Sequence, residues 1–294
     1  MNFFDFLQFL LNGLSIGSLY ALIAVGYSMV FGVLKFVNFA HGEIYMLGSY
    51  FVMALAIQGS PIWFAIPGGM LAAGFVSVFV NKYIYRSFGK DNRLGILISA
   101  VCVSMFLQNF VQIVFSPDAI SFPFSFPGDI IILPQNLIIR VMDVWILGIM
   151  LVSSSITWLF IHKTKMGLGI RAMASNISAA QIIGIPTYKL GSMTFLIGGL
   201  LATLGGSLQG MAINQIMPLM GVGAGLKAFA AAVLGGVGSI WGAILGAMII
   251  GMAESILIGF GLSLWKDSLA FVVLILFLLF KPQGLLGRAQ VVKV

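Results

Sequence analysis

The acidic and imidazole chemistry open to this 294-residue chain is limited to eight Asp and Glu residues and two histidines. The densest polar run inside an apolar stretch is Asn38-Phe-Ala-His41-Gly-Glu43. Ionisable groups within membrane-length apolar runs are costly, and they are usually paired or functional. Asn38 is a plausible helix N-cap, and Glu43 stands in the first turns, where the helix dipole favours a carboxylate. Glu43 can equally make a gate contact to a neighbouring helix or subunit. A proton relay would need further acids, and only Glu254 is also deep in an apolar run. Glu254 either faces a water-lined path or pairs with Lys266. Asn12, Asn38, His41, Glu43 and Glu254 are therefore the candidate gate or path residues.

Catalytic constellations are not found. The sequence holds no Walker-type phosphate loop, no H-E-x-x-H zinc motif and no G-x-S-x-G elbow. Ser87-Phe-Gly-Lys90 fits S-x-x-K only as a chance match in a basic loop. Gly221-Val-Gly-Ala-Gly225 is glycine-rich without a preceding strand. His162 abuts Lys163 and reads as interfacial. Cys102, the single cysteine, lies in an apolar run; it allows no intrachain disulfide, implies no thiolate metal site, and reads as a small packing residue. The expectation is a chain with no catalytic residue, no metal and no cofactor of its own.

These few polar groups must be positioned by elements of unusual hydrophobicity. Hydrophobic residues make up 60% of the chain and charged residues 8%, and the mean hydropathy is +1.11. Soluble domains carry about 25% charged residues, so lipid is the outer solvent here. The net charge of +7 would suggest nucleic acid in a soluble protein. Here the basic residues sit in loops, without aromatic interleaving, and membrane orientation explains them better. The N-terminus lacks a basic region before its first apolar run, so that run reads as a retained span.

Apolar runs of spanning length cover about Phe6–Leu34, Phe36–Ile57, Ile62–Ile84, Leu94–Phe115, Val141–Ile161 and Leu190–Ile213. Gly242–Phe260 and Leu264–Phe280 follow. Between them Lys227–Ile240 is short and ends in Gly235-Gly-Val-Gly238. With Lys82, Arg86, Lys90 and Arg93 in the cytoplasm, Lys35, the loop Lys163–Lys189 and the tail Lys281, Arg288, Lys293 join them. Only Arg140, Lys227 and Lys266 then fall outside, with Asp5, Asp118, Asp129, Asp143 and Asp267. The N-terminus is outside and the C-terminus inside, which requires an odd number of crossings. Nine result if Lys227–Ile240 crosses as a short or broken segment; eight would put the basic tail outside. The expected fold is all-α: one polytopic membrane helix bundle over residues 1–294, with about 8–9 transmembrane helices.

The external loop, residues 116–140, holds Pro117, Pro123, Pro127 and Pro134 with Phe122, Phe124 and Phe126. Proline blocks helix, so an ordered cap or strand-like segment is expected, either a docking surface or a linker with buried phenylalanines. Gly198, Ala202, Gly206 and Gly210 form a small-residue stripe, Gly238, Gly242 and Gly246 another, and Gly13 with Gly17 a third. Such stripes permit close helix packing in lipid, within one subunit or on a dimer face. Gly235, Gly236, Gly238 and Gly242 are candidate hinge or packing positions. The regions Gly26–Gly48 and Gly235–Gly251 are both helix-breaking, as in repeated transporter folds, but no residue-level match establishes a repeat.

The loop from Lys163 to Lys189 interrupts the apolar sequence with a short helix. Ser175 or Asn176 can cap it, Gly184 ends it and Pro186 prevents its continuation. About two turns are not stable alone, so packing of Ala179, Ala180 and Ile183 must hold it. The loop is either a plain cytoplasmic linker or a small knob suited to a groove on a soluble partner, to which the lack of an energy-converting motif would assign the energy.

Four runs then carry a family resemblance: Asn12-Gly-Leu-Ser-Ile-Gly-Ser-Leu-Tyr-Ala-Leu-Ile-Ala-Val-Gly-Tyr27, Phe36-Val-Asn-Phe-Ala-His-Gly-Glu43, Gly169-Ile-Arg-Ala-Met-Ala174 with Ala179-Ala180 and Gly184-Ile185, and Lys227-Ala-Phe-Ala-Ala-Ala-Val-Leu-Gly-Gly-Val-Gly-Ser-Ile-Trp-Gly242. In this order, over nearly the whole chain, they resemble LivH-type permeases of branched-chain amino acid ABC importers. The resemblance implies a non-catalytic permease subunit of a bacterial inner membrane. It implies a second permease, identical or not, two ATPase subunits that bind ATP-Mg, and a periplasmic solute-binding protein. The helix Asn176–Ile183 becomes the coupling helix, with Arg171, Ala172, Asn176, Ala179, Ala180 and Gly184 as coupling residues. Ser175-Asn176-Ile177-Ser178 departs from the acidic residues frequent in the family there. Substrates open to such permeases include leucine, isoleucine and valine, other amino acids, amides and urea. The competing reading is a stand-alone secondary transporter or channel for a small polar solute, driven through Glu43 or Glu254.

Overall fold

Apolar runs of this length leave the backbone no hydrogen-bond partner but itself, and most of the described chain is helix. The computed structural model describes residues 3–88, 92–124, 130–133, 137–281 and 283–287. Helix α1 spans Phe3–Leu34, α2 His41–Ile57 and α3 Ile62–Phe79, which continues through a π turn (Val80–Ile84) and a 3-10 turn (Tyr85–Phe88). Helix α4 spans Arg93–Val114, α5 Val141–Lys163, α6 Lys165–Ser175, α7 Ile177–Ile182 and α8 Thr187–Ile213. Helices α9 (Met220–Gly235), α10 (Ile240–Gly259) and α11 (Lys266–Phe280) complete the bundle. Among the described residues seven helical segments are long and apolar enough to cross a membrane.

Two helices do not fit the expected spans. The second begins at His41, not Phe36. The ninth begins at Met220, upstream of Lys227, and ends at Gly235, so Ile240 already belongs to the next helix. Both start inside the bundle. The ideal Cβ positions at Gly26 and Gly198 fall against the His41 ring. Gly26 lies eight residues before the end of α1, about 12 Å along its axis at 1.5 Å per residue. Residues 35–40 therefore climb back from the end of α1 to about mid-depth, where α2 starts. Residues 214–219 do the same from the opposite end of α8, so that Gly221 at the start of α9 meets Gly42 at the start of α2. Each pair of half-depth segment and helix completes a crossing. Among the described residues the chain passes nine times between the two faces, in keeping with an odd number.

The two halves are related as inverted repeats, α1–α4 and α8–α11. The links 35–40 and 214–219 have equal length, as do 58–61 and 236–239. Lys35 (φ 59°) and Asn214 (φ 55°) open the first pair of links, and they are the non-glycine residues with positive φ among those described. Gly59 (φ 85°) and Gly238 (φ 87°), in the second pair, stand about equally far along the chain from Lys35 and Asn214. Helices α1 and α8 cross at the centre. Helix α1 packs on α9 and α10, and α8 on α2 and α3. No residue-level match betrays the repeat, because the same backbone is built from different residues: Tyr20 of α1 corresponds to Gly199 of α8.

The core follows from this crossing. Ala21–Ala24 of α1 are fully buried, as are Tyr45, Tyr50 and Phe195. The small-residue stripes all pack within the chain. Gly13 and Gly17 take the backbone of α10 at Gly251–Met252 and Ala247–Met248, Gly206 receives Tyr45 and Ser49, and Gly242 abuts Gly235. Gly236 (φ 103°) breaks the helix and receives the tail at Leu286–Gly287.

At the face opposite α6 and α7, the loop 116–140 is partly strand. Strand β1 (Ile120–Ser121) pairs antiparallel with β4 (Gln215–Ile216), and β2 (Ile130–Leu133) with β3 (Leu137–Arg140). Phe122 is buried against Gly210, which favours the buried-linker reading for that residue. Phe126, Pro127, Asp129 and Pro134 lie outside the described residues, as do Lys90, Arg288 and Lys293. Gln8 clamps β3 by donating to Ile138 O (2.8 Å) and accepting from Ile138 N (2.8 Å).

Candidate functional site

The polar side chains predicted for a path separate into three places. Asn12 is exposed near the β3 face, accepting from Gln8 Nε2 at 2.9 Å. It is remote from His41 and Glu43. Asn38 is buried on the 35–40 link and is not the N-cap of α2; Ala40 holds that position without a side-chain bond. Asn38 Oδ1 accepts from the Tyr85 hydroxyl at 2.6 Å, and its carbonyl accepts from His41 N at 3.0 Å. That pairing ties the climbing link to the 3-10 turn after α3. His41 fills the gap between Gly26 and Gly198, its ring edge-on to Tyr27 at 4.6 Å.

Glu43, 1% exposed, lies where the two half-depth helices meet. Its Oε1 accepts from Gln108 Nε2 (2.8 Å) and Ser104 Oγ (3.1 Å) of α4. Among the described residues its Oε2 has no donor, and it lies beside Gly221. The gate-contact reading thus gains a named neighbour, α4. The carboxylate stands in the first turn of α2 and beside the first turn of α9, where both helix dipoles favour a negative charge. Glycine is required here by close approach: a Cβ on Gly42 or Gly221 would strike the other's carbonyl, and one on Gly225 would press on the Gly42 Cα. A cavity of about 160 Å³ opens from Glu43 between α4 and α9, lined also by Tyr27, Phe39 and Val222.

Glu254 pairs differently from the expectation. Its partner is Lys227 (2.8 Å), not Lys266. Lys227, expected outside, is buried within α9. Its ammonium also reaches Asp267 (2.7 Å) and the Tyr20 hydroxyl (3.2 Å), while Tyr20 donates to Glu254 Oε2 (2.9 Å). One cation thus joins α1, α9, α10 and α11. Four groups that satisfy one another form a structural knot, since removing Lys227 leaves the buried Glu254 charge uncompensated. The sequence carried a usable sign: two unmatched opposite charges in neighbouring apolar helices.

The loop 163–189 forms two helices where one was expected. Thr164 caps α6 by accepting from Gly167 N (3.0 Å), and Asn176 caps α7 by accepting from Ala179 N (3.0 Å). Gly184 (φ 82°) ends α7, with Ile185 N bonded to Ala180 O (3.0 Å), and Pro186 precedes α8. Ala180 packs with Val33, Ile170, Met173 and Leu190. Ala179 and Ile183 do not hold the helix. Ala179 is exposed, and Ile182 and Ile183 are 85% and 73% exposed. Arg171 is exposed and Ala172 half-buried on α6. Ile182, missed from sequence, dominates the outward face. Lys35, Lys82, Arg86 and Lys281 cluster toward this same end of the bundle, and Arg86 donates to Tyr188 O and to Ser192 Oγ (2.6 Å) at the start of α8. Cys102 is exposed on α4, where it borders an apolar groove of about 780 Å³ rather than filling the core. Among the described residues no cluster of metal-ligating side chains occurs.

Comparison with known proteins agrees with this arrangement. Residues 9–278 match the family model described as the branched-chain amino acid transport system permease component. The chain is 40% identical to the high-affinity branched-chain amino acid transport system permease protein BraD of Pseudomonas aeruginosa, covering 99% of both proteins. It is 38% identical to the corresponding LivH of Salmonella typhimurium, over 100% of this chain and 99% of that protein. Among solved structures, PsaBC from Streptococcus pneumoniae in complex with Fab shares the fold, with a TM-score of 0.52 at 14% identity, covering 94% of this chain and 90% of that one. With the match running almost end to end, through the half-depth helices and the capped loop alike, the chain belongs to the family of branched-chain amino acid transport system permease components.

Proposed function

We propose that the chain is the membrane-spanning permease subunit of an ABC importer for leucine, isoleucine and valine. It pairs with a second permease, two cytoplasmic ATPase subunits and a periplasmic solute-binding protein. The observation that carries the reading is α7: a capped two-turn helix anchored by Ala180 that offers Ile182 and Ile183 to the solvent. Two bare isoleucines at the end of a membrane bundle fit a groove on a soluble partner, in the way an apolar helix face seats in an apolar cleft. The face bearing α6, α7 and the basic residues is cytoplasmic by the positive-inside rule. The N-terminus is then outside and the tail inside. ATP-Mg acts in the partners, and this subunit is non-catalytic.

The mechanism follows from the parts. Closure of the ATPase pair displaces α7, and α6 passes the displacement to α1 and α8. The permease needs little affinity of its own, because the binding protein selects the solute. The experiment is ATP-driven uptake of labelled leucine by the assembled importer in proteoliposomes. Uptake that requires ATP and the binding protein is expected. Leucine flux through this chain alone, driven by an ion gradient, would overturn the reading.

A further inference from the structure

Two buried carboxylates stand in the bundle, and they differ in one respect. Glu254 has its counter-ion in Lys227, at 2.8 Å. Glu43 has none among the described residues: its Oε1 is held by neutral donors from Gln108 and Ser104, and its Oε2 has no partner there. An ionised carboxylate out of water needs a counter-charge or complete hydrogen bonding. The two helix N-termini beside it favour a negative charge, but neither supplies a donor to Oε2. The Lys227 ammonium, engaged by Glu254 and Asp267, is not free to turn to it.

What Oε2 does have is space. The cavity of about 160 Å³ is bounded on the Glu43 side by Ser104 and Gln108 and elsewhere by Tyr27, Phe39 and Val222. A single water needs only about 10–15 Å³, so the cavity is roughly tenfold larger than one water requires. It opens toward the surface at Val222, which is exposed. A carboxylate oxygen, two polar flanks and an apolar wall match a solute with a primary ammonium group and a short branched hydrocarbon.

We propose that the Glu43 cavity is a transit site for the ammonium group of the transported solute. The Glu43 Oε2 accepts from the N⁺–H, Gln108 and Ser104 fix the carboxylate through Oε1, and Phe39, Tyr27 and Val222 shelter the hydrocarbon. This rests on the amino acid reading for its physiological ligand, while the chemistry of the cavity calls for an organic ammonium in any case. A site of this kind binds weakly, since it must release what it receives.

The test uses the full chain in the assembled importer, with Cys102→Ala and Val222→Cys placing one thiol at the cavity mouth. Alkylation of that thiol by a maleimide is timed with 3-methylbutylamine, with 4-methylpentanoate and with sodium chloride at matched ionic strength. The expected result is a slowing of at least fivefold by the amine alone, lost in Glu43→Gln and retained within a few-fold in Glu43→Asp. Equal protection by the acid, protection by sodium, or amine protection that survives Glu43→Gln would each overturn the proposal. Should Glu43→Gln fail to assemble, the comparison of amine with acid, made with Glu43 intact and again in Glu43→Asp, still decides it. An importer that moves some other solute and not leucine would refute the functional reading but leave the amine result standing.

Discussion

At the scale of single residues, charge placement separates structure from transit. Lys227 sits in a buried knot with Glu254, Tyr20 and Asp267. Lys227→Met strands Glu254 without a counter-ion, and the expected destabilisation is about 3–5 kcal/mol. Asp267, whose side chain is 67% exposed, contributes less: Asp267→Asn should cost about 1 kcal/mol or below. Thermal unfolding in detergent checks the order, and the pair Lys227→Met with Glu254→Leu should recover most of the loss. Equal effects of Lys227→Met and Asp267→Asn would show that water reaches the knot. Glu254 and Glu43 were legible in the sequence as acids inside apolar runs. Their partners were not, because Gln108 lies 65 residues from Glu43 and Lys227 lies 27 residues from Glu254. Lys227 was read as the outer start of a short segment because a lysine shortens any apolar window in which it falls.

At the scale of elements, the loop helix was legible because its signals are local. Asn176, Gly184 and Pro186 cap, end and block it within eleven residues of sequence, and the structure keeps each role. Which face turns outward was not legible, since rotating the helix about its axis exchanges Ala180 for Ile182 and only the surface beneath decides. The two faces predict opposite failures. Ile182→Asp with Ile183→Asp should leave the folded amount unchanged and reduce ATP-driven uptake at least tenfold. Ala180→Asp should lower the folded amount itself, by placing a charge against Val33, Met173 and Leu190. Quantifying purified protein beside uptake separates them. Asn176→Ala removes the acceptor for Ala179 N and should cost about 1 kcal/mol, visible as faster proteolysis within the loop.

At the scale of the whole molecule, the nine passes place Gln58 and Gln283 on opposite sides of the membrane. In a Cys102→Ala background, Gln58→Cys should react with an impermeant maleimide in intact cells, and Gln283→Cys only after lysis. Labelling of both in intact cells would refute the topology. The helical membrane bundle was legible from the apolar runs. The inverted repeat was not, because it lives in backbone: equal links, paired left-handed residues at Lys35 and Asn214, and glycines meeting at Gly42 and Gly221. One small feature bears on how such a molecule can move. The cluster beneath α7 grips Val33 at the end of α1 and Leu190 at the start of α8, the leading helices of the two repeats. A force on Ile182 and Ile183 is thus delivered to both halves at one point, across their crossing. Because α1 ends and α8 begins at that point, one stroke displaces both leading helices in the same sense, and the two halves are moved from a single end.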